Sequence, residues 1–282
     1  MEEQTQHSTP FTKFIHHSAR GFQTWQELCT QVRREVLQAQ SSTEIAYTSV
    51  SPEWGPLVVD SLDEDGDVES LNAATNYSSV RETLIVKVMS TLLFGCHINW
   101  MRIQELDWHE QNLVMGGHLR LLRVWTIATH GRFEAPYSGS RKTPNFCMSP
   151  DNRYHPSFVI ECGDSESKER LMEDMRLWLI GARPFVKVVV IIMYARKGNT
   201  NQVEGKAELY VRDANANPGL QQEATIFPAT QSECSLGISA GDLFGPVLPQ
   251  DLDANTVLPL SIDDLRREAR KAMPHMDLVP AT

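Results

Sequence analysis

The stretch SFVIECGDSESKERLMEDMRLWLIGARPFVKVVVIIMYA, residues 157–195, decides the fold prediction. Residues 157–163 form a short apolar run that is typical of a buried strand, and residues 165–181 carry apolar side chains at helical spacing. Residues 186–194 are almost unbroken β-branched sequence, which indicates a strand buried on both faces. A strand, a helix and a strand in this order form a βαβ unit, so we expect the two strands to be parallel neighbours.

The rest of the chain predicts an α/β protein, or a mixed α+β one, with a central mixed sheet flanked by helices. Helical periodicity covers residues 22–40 and 79–94, and the second begins with the capping-box pattern Ser-x-x-Glu. Residues 98–134 have a strand-like pattern with a turn at Gly116-Gly117, and residues 205–213 alternate as a half-exposed strand does. Ser261 predicts the start of a final helix.

Three regions follow from this pattern. Residues 1–12 are expected to be a disordered tail, residues 13–76 a helix followed by an acidic loop, and residues 77–282 a single α/β domain. Within the loop, residues 61–72 match a calcium-binding loop only in part, because serine and asparagine occupy its first and last ligand positions. A solvated acidic loop is therefore predicted there.

The 282 residues carry a net charge of −10, which argues against a general nucleic-acid binder. Residues 116–156 carry a positive net charge instead, since they hold six basic and two acidic side chains. This local basic patch predicts a contact with nucleic acid, although a mixed solvated face fits the same composition.

The five cysteines are an odd number without Cys-x-x-Cys spacing, so free thiols in a reducing compartment are expected. The N-terminal sequence has no apolar leader, and the longest apolar run is far shorter than the roughly 20 residues of a membrane span. These features predict an intracellular protein, cytoplasmic or nuclear, without a membrane contact.

Glu161 is the residue that stands out within the βαβ stretch, because it lies near the end of a buried strand. A buried carboxylate is costly without a partner. It is therefore either a metal ligand presented by a rigid strand or a carboxylate paired with an arginine or capped by backbone amides. The sequence pattern alone leaves both interpretations open.

A longer pattern adds a family resemblance. Lys142-Thr-Pro-Asn145 is followed by His155-Pro156, by Glu161-Cys-Gly163-Asp-Ser165-Glu166-Ser167, by Asp174 and Trp178-Leu179, and by Val186-Lys187-Val188-Val189. This order resembles a group of uncharacterised fungal proteins with a restriction-endonuclease-like, PD-(D/E)xK core. The resemblance covers about residues 142–192.

The resemblance implies a metal-dependent nuclease site, in which an acidic pair holds Mg²⁺ or Mn²⁺ and a lysine assists the attacking water. It places the glutamate ligand on Glu161. The aspartate falls on Asn145, with Asp151 as the alternative ligand, and Gly163 stands where the lysine is expected. The candidate site residues are therefore Glu161, Asn145, Asp151, Lys142 and Lys187, with Glu161 and Asp151 as the metal ligands.

Three hypotheses for function follow. The first is a binding or scaffold module on a degenerate nuclease-like fold, because a carboxylate and a lysine are missing from the pattern. The second is an active Mg²⁺-dependent nuclease that uses Asp151 or Asn145 with Lys142 or Lys187. The third is a protein–protein interaction role carried by the acidic N-terminal third.

Overall fold

The computed structural model describes residues 11–125, 129–150, 153–164, 168–213, 215–229 and 235–282. The candidate ligand Asp151 and residues 1–10 of the predicted tail lie outside these ranges. The chain is a mixed α/β protein, as predicted from its sequence, and the described part contains three sheets.

The strands are β1 Lys13–Ser18, β2 Thr43–Thr48, β3 Ala74–Ser78, β4 Thr83–Val88, β5 Leu122–Trp125, β6 Phe146–Pro150, β7 Phe158–Asp164, β8 Val188–Arg196, β9 Gln202–Arg212, β10 Pro218–Phe227, β11 Ser235–Ser239, β12 Val257–Ser261 and β13 Val279–Pro280. The helices are α1 Trp25–Gln38, α2 Trp54–Asp63, α3 Gly66–Ser70, α4 Leu92–Glu110, α5 Gly116–Leu119, α6 Lys168–Arg176, α7 Ala240–Phe244 and α8 Ile262–Ala272. A π-helical turn, Leu177–Gly181, continues α6.

The central sheet has the strand order β10-β9-β8-β7-β6-β5, and β13 pairs with β9. β7 and β8 are parallel neighbours in the register Phe158 to Val188 through Asp164 to Tyr194, so the predicted βαβ unit is confirmed. Every other described pair along this path is antiparallel. The crossover helix packs on the sheet through the predicted side chains, which are Leu171, Met175 and Trp178.

Alternation along β7 divides the core into two layers. Phe158, Ile160 and Cys162 face a cluster that includes residues of α4 and α8. Val159 faces the opposite cluster, which contains the apolar side chains of α6 and its π-helical turn. Because strand side chains alternate, Glu161 shares the α6 face with Val159.

The N-terminal region differs from the prediction. Residues 41–76, predicted as an acidic loop, contain β2, α2, α3 and the start of β3. These strands join β1 and β4 in a separate sheet of order β1-β2-β4-β3, and the predicted boundary at residues 76–77 falls inside β3. Short apolar pieces such as Val58, Val59 and Leu62 are buried in the core of this sheet.

The helix predicted at 79–94 is also wrong. Residues 83–88 alternate between buried and partly exposed, and they form β4. The helix begins only at Leu92, with Thr91 as its N-cap, and it continues to Glu110, well past the predicted end at residue 94. These six residues follow the two-residue period of a strand, so the buried apolar positions predicted for a helix face belong to one face of β4.

The strand-like prediction for residues 98–134 holds only for β5 among the described residues. α4 runs to Glu110, and Gly116-Gly117 begins the short helix α5 instead of forming a hairpin turn. The buried face of α4 includes His97 and Gln104, which interrupt its apolar stripe. Gln104 accepts a hydrogen bond from the Ser261 backbone amide at 2.6 Å, so this buried polar side chain links α4 to the end of β12.

Residues 129–143, here called the bridge segment, connect the two sheets. Tyr77 of β3 exchanges two backbone hydrogen bonds with Arg141, of 2.8 and 2.9 Å. Arg141 also pairs with Asp60 of α2 at 2.8 Å. His130 and Lys142 exchange two further backbone hydrogen bonds of 2.8 Å within the segment. The bridge segment therefore carries Lys142 from the N-terminal sheet toward the central one.

The C-terminal elements are present as predicted, but the strand expected at 205–213 is not half exposed. It forms most of β9, and Glu208 and Tyr210, expected on its exposed face, are buried. The final helix α8 follows Ser261, whose hydroxyl accepts a hydrogen bond from the Asp264 amide at 3.2 Å. None of the helices in the described ranges has the length and apolar character that a membrane crossing requires.

Candidate functional site

Glu161 lies at the bottom of the candidate site, and its side chain is completely buried. The indole Nε1 of Trp178 donates a hydrogen bond of 2.7 Å to Glu161 Oε1. Glu161 Oε2 lies 3.4 Å from the Lys142 ammonium, a distance of an ion pair more than of a strong hydrogen bond. Both carboxylate oxygens therefore face partners from within the chain.

Lys142 reaches this position from the bridge segment and is only 3% exposed. Its ammonium lies 2.6 Å from Oδ2 of Asp174, a residue of α6. Asp174 retains 24% of its side-chain exposure, so the cluster opens toward solvent on that side. We call Lys142, Glu161 and Asp174 the ion cluster, in which one ammonium separates two carboxylates.

The ion cluster shifts the ionisation of its two buried members. Burial alone would lower the pKa of the Lys142 ammonium, but attraction by Asp174 and Glu161 outweighs it, and the pKa is raised. Burial raises the pKa of Glu161, and the neighbouring Asp174 carboxylate adds to that effect while Lys142 opposes it. Lys142 is thus held protonated between its two partners.

A cleft leads to the ion cluster between the N-terminal sheet and α6. A small cavity beside Lys142 and Asp174 is also lined by Asn76, and its charged walls include Lys87 and the ion pair between Arg170 and Glu44. One neighbouring cavity of about 220 Å³ shares Asp174 and Arg170 with it. Another shares Glu44 and Lys87 and extends to Asn145. The cleft therefore has walls of both charges.

The other predicted site residues have different surroundings. Asn145 Oδ1 accepts a hydrogen bond of 2.9 Å from the Cys162 backbone amide, and its carbonyl lies 3.3 Å from His97 Nε2. The Lys187 amide donates to the carbonyl of Ser157 at 2.8 Å, and Ser157 directly precedes β7, four residues before Glu161. Four residues of strand span about 13 Å, so Lys187 begins at the far end of the strand. Of the predicted residues, the structure brings Lys142 and Glu161 into direct contact.

Asp174 and Trp178 are contact residues of the site to which sequence reasoning gave no site role. A signal for Asp174 was present, since positions 171, 174, 175 and 178 lie on one face of a helix. An aspartate among three apolar side chains on a packed face requires a buried partner. The identity of that partner, Lys142, depends on the path of the bridge segment.

The ion cluster does not fit a resident Mg²⁺ or Mn²⁺. Two carboxylates are present, but a lysine ammonium lies within 3.4 Å of both, and a divalent cation there would be repelled. Across the described ranges, no three histidine, cysteine, aspartate or glutamate side chains converge as a metal site. The internal ammonium already supplies the positive charge that such carboxylates require.

Four cations of the predicted basic patch at 116–156 have partners within the chain. Lys142 is buried in the ion cluster, and Arg141 is bound to Asp60. Arg132 and Arg153 lie instead beside aromatic rings, at 4.8 Å from the Tyr154 centroid and 5.9 Å from the Phe185 centroid. Two of these cations therefore form ion pairs, and two lie against aromatic rings.

No protein-family profile matches this chain. No curated protein is significantly similar to it in sequence.

Proposed function

We propose that this chain is a non-catalytic binding or scaffold module, built on a nuclease-like core whose metal position is filled by the ion cluster. The observation that carries the proposal is the Lys142 ammonium, which lies 2.6 Å from Asp174 and 3.4 Å from Glu161. A fixed internal cation in this place makes a metal ion unnecessary for neutralising the carboxylates.

Burial of Glu161 supports the same proposal. Metal-assisted hydrolysis needs ligands that hold an ion together with the attacking water. Glu161 has no exposed surface, and its Oε1 is already bonded to the Trp178 indole. Releasing Glu161 for a metal would leave Lys142 in a buried site with a single partner, which is costly. The carboxylate is thus a structural group in this proposal.

The cleft above the ion cluster is the binding surface of the proposed module. Its walls carry charges of both signs, including Lys87, Arg170 and Glu44. Such a surface suits a polar partner that offers both donors and acceptors, since like-charged partners are rejected by part of the wall. In this proposal the buried ion cluster stabilises the fold, and the charged walls of the cleft bind the polar partner.

The test is calorimetric titration of the protein with Mg²⁺ and with Mn²⁺ at millimolar concentration, together with a cleavage assay on single- and double-stranded DNA and RNA. We expect no saturable metal binding and no cleavage. Metal binding that disappears in Glu161→Gln and persists in Glu134→Gln, which removes an exposed carboxylate, would overturn the proposal in favour of an active nuclease.

A further inference from the structure

A cavity of about 400 Å³, separate from the cleft, lies at the start of β7 and β8, at the opposite end of these strands from Asp164. Its volume is in the range of small-molecule binding sites. Its charged, imidazole and aromatic lining residues are Arg153, His155, Phe185, Lys187 and Asp242. None of these residues belongs to the ion cluster, so the cavity is a separate feature of the fold.

The charges of the cavity favour an anion. Among the described lining residues, Arg153 and Lys187 are cationic and Asp242 is the only carboxylate. Asp242 Oδ2 already accepts a hydrogen bond of 2.7 Å from the Ser239 hydroxyl, which holds this carboxylate against the start of α7. Arg153 lies in the loop before β7 and Lys187 directly before β8, so two separate segments supply positive charge to the lining.

An aromatic surface adjoins these cations. Phe185 lines the cavity and is 38% exposed, so part of its side chain is open to solvent. Its ring lies 5.7 Å from the His155 ring, and the Arg153 guanidinium lies 5.9 Å from its centroid. Exposed aromatic rings beside arginine are the features on which nucleic-acid bases stack.

Below this surface lies a polar group without a partner. His155 is 5% exposed and lines the cavity, and its Nε2 lies 3.3 Å from the Arg132 carbonyl. Its Nδ1 is buried and forms no hydrogen bond within the described part of the chain. Buried polar atoms are rarely left unsatisfied in proteins, and ligand sites are a recognised exception.

We propose that this cavity binds a nucleotide, with its phosphate between Arg153 and Lys187 and its base against Phe185. The proposal does not depend on the function proposed for the ion cluster. It also gives Lys187, predicted from sequence as a catalytic lysine, a different role as a phosphate contact. The nucleotide is either a free mononucleotide or one unit of a single strand, since both present the same base and phosphate.

The experiment titrates the full chain with AMP and UMP by calorimetry, and with a fluorescein-labelled ten-nucleotide single-stranded RNA by anisotropy. The variants are Arg153→Ala/Lys187→Ala and Phe185→Leu. Arg183→Ala is the control, because Arg183 lies two residues from Phe185, is paired with Glu134 and is outside the cavity lining. Thermal melting of each variant establishes that it is folded.

We expect saturable binding of at least one probe, weakened more than tenfold in the double variant and several-fold in Phe185→Leu, and unchanged in Arg183→Ala. Binding should also weaken as salt rises, and less steeply in the double variant. Binding of the mononucleotides alone identifies a free nucleotide as the ligand, and binding of the RNA alone identifies a strand. Absence of binding by all probes at millimolar nucleotide and micromolar RNA, or equal binding in folded variants and parent, overturns the proposal.

Discussion

Lys142 is the residue on which the candidate site depends, because its ammonium compensates Glu161 and Asp174 at once. Removing one partner of a buried ion pair leaves an uncompensated charge, which typically costs about 3–5 kcal/mol. We therefore expect Lys142→Ala to lower the free energy of unfolding by about that amount. Urea denaturation at pH 7 measures it.

The same variant tests whether the ammonium takes the place of a metal. With Lys142 removed, Glu161 and Asp174 can share a divalent cation, and a ligand that binds only the folded state raises its melting temperature. We expect Mn²⁺ to raise the melting temperature of Lys142→Ala and not that of the parent. Lys187→Ala is the control, since its backbone lies at the other end of β7, and it should show neither effect. Equal stability of Lys142→Ala and the parent would contradict the ion cluster.

Trp178 stabilises the fold through the packing of its ring and through the hydrogen bond of its N–H group, and two substitutions separate these two effects. Trp178→Phe keeps most of the ring but leaves the buried Glu161 Oε1 without its 2.7 Å hydrogen bond, so we expect a loss of about 1–3 kcal/mol. Trp178→Ala also creates a cavity, and we expect a loss of about 3–5 kcal/mol. Chemical denaturation measures both. Trp125→Phe, at a side chain that is 41% exposed, should change the stability little.

The elements show where sequence reasoning succeeds. The βαβ unit was predictable because β7 begins with the apolar residues Phe158–Ile160, β8 is almost entirely apolar, and the helix between them has one clear apolar face. Local pattern and tertiary role agree there. In α4, by contrast, Trp100 and Trp108 are buried on a helix that also buries His97 and Gln104, so burial does not follow hydrophobicity. A periodicity argument fails when polar side chains occupy core positions.

The candidate site divides in the same way. The burial of Glu161 and its need for a partner follow from the strand pattern around it. Its partners are Lys142 and Trp178, which come from the bridge segment and from the π-helical turn. Contacts between residues this distant in sequence depend on the path of the chain, and local spacing does not encode that path.

Gly55 of α2 packs closely against Tyr77 of β3, so a substitution there tests the contact between this helix and the N-terminal sheet. A β-carbon built on Gly55 of α2 would lie 2.3 Å from the ring of Tyr77, which is buried in β3 and donates to the Val50 carbonyl at 3.0 Å. Gly55→Ala should therefore destabilise the protein by about 1–3 kcal/mol, despite the higher helix propensity of alanine. Thermal melting measures the change.

Gly66→Ala is the matched control for that substitution. Gly66 also lies in a helix, α3, but no atom is within 4 Å of the position that its β-carbon would take. Replacing glycine by alanine at an unstrained position stabilises proteins by about 0.4–1 kcal/mol through the unfolded state. Destabilisation of the same size in both variants would show that the Tyr77 contact is not the cause of the Gly55 effect.

At the scale of the whole molecule, two buried histidines predict sensitivity to acid. Burial lowers the pKa of His97 and of His130 from 6.5 to about 4. Between these values the unfolded chain binds more protons than the folded one, so stability is complete above pH 6.5 and is lost as the pH falls toward 4. The loss at pH 5 is roughly 2 kcal/mol for each imidazole.

Urea denaturation at pH 8 and pH 5 measures that dependence, and His97→Gln isolates one contribution. The raised pKa of Glu161 acts in the opposite direction, because protonation removes the cost of burying its charge. The variant should lose roughly 2 kcal/mol less than the parent between the two pH values. An identical loss in His97→Gln and the parent would mean that His97 does not contribute.

The bridge segment has a consequence for how the two sheets open. Its backbone is hydrogen-bonded to β3 through Arg141. The ammonium of the next residue, Lys142, is paired with Glu161 of β7. A local opening that freed the N-terminal sheet alone would have to break the Tyr77–Arg141 bonds and disturb the ion cluster together. Hydrogen exchange of the amide protons of Tyr77, Arg141 and Ile160 should therefore report one common free energy of opening, that of a single cooperative unit that includes both sheets.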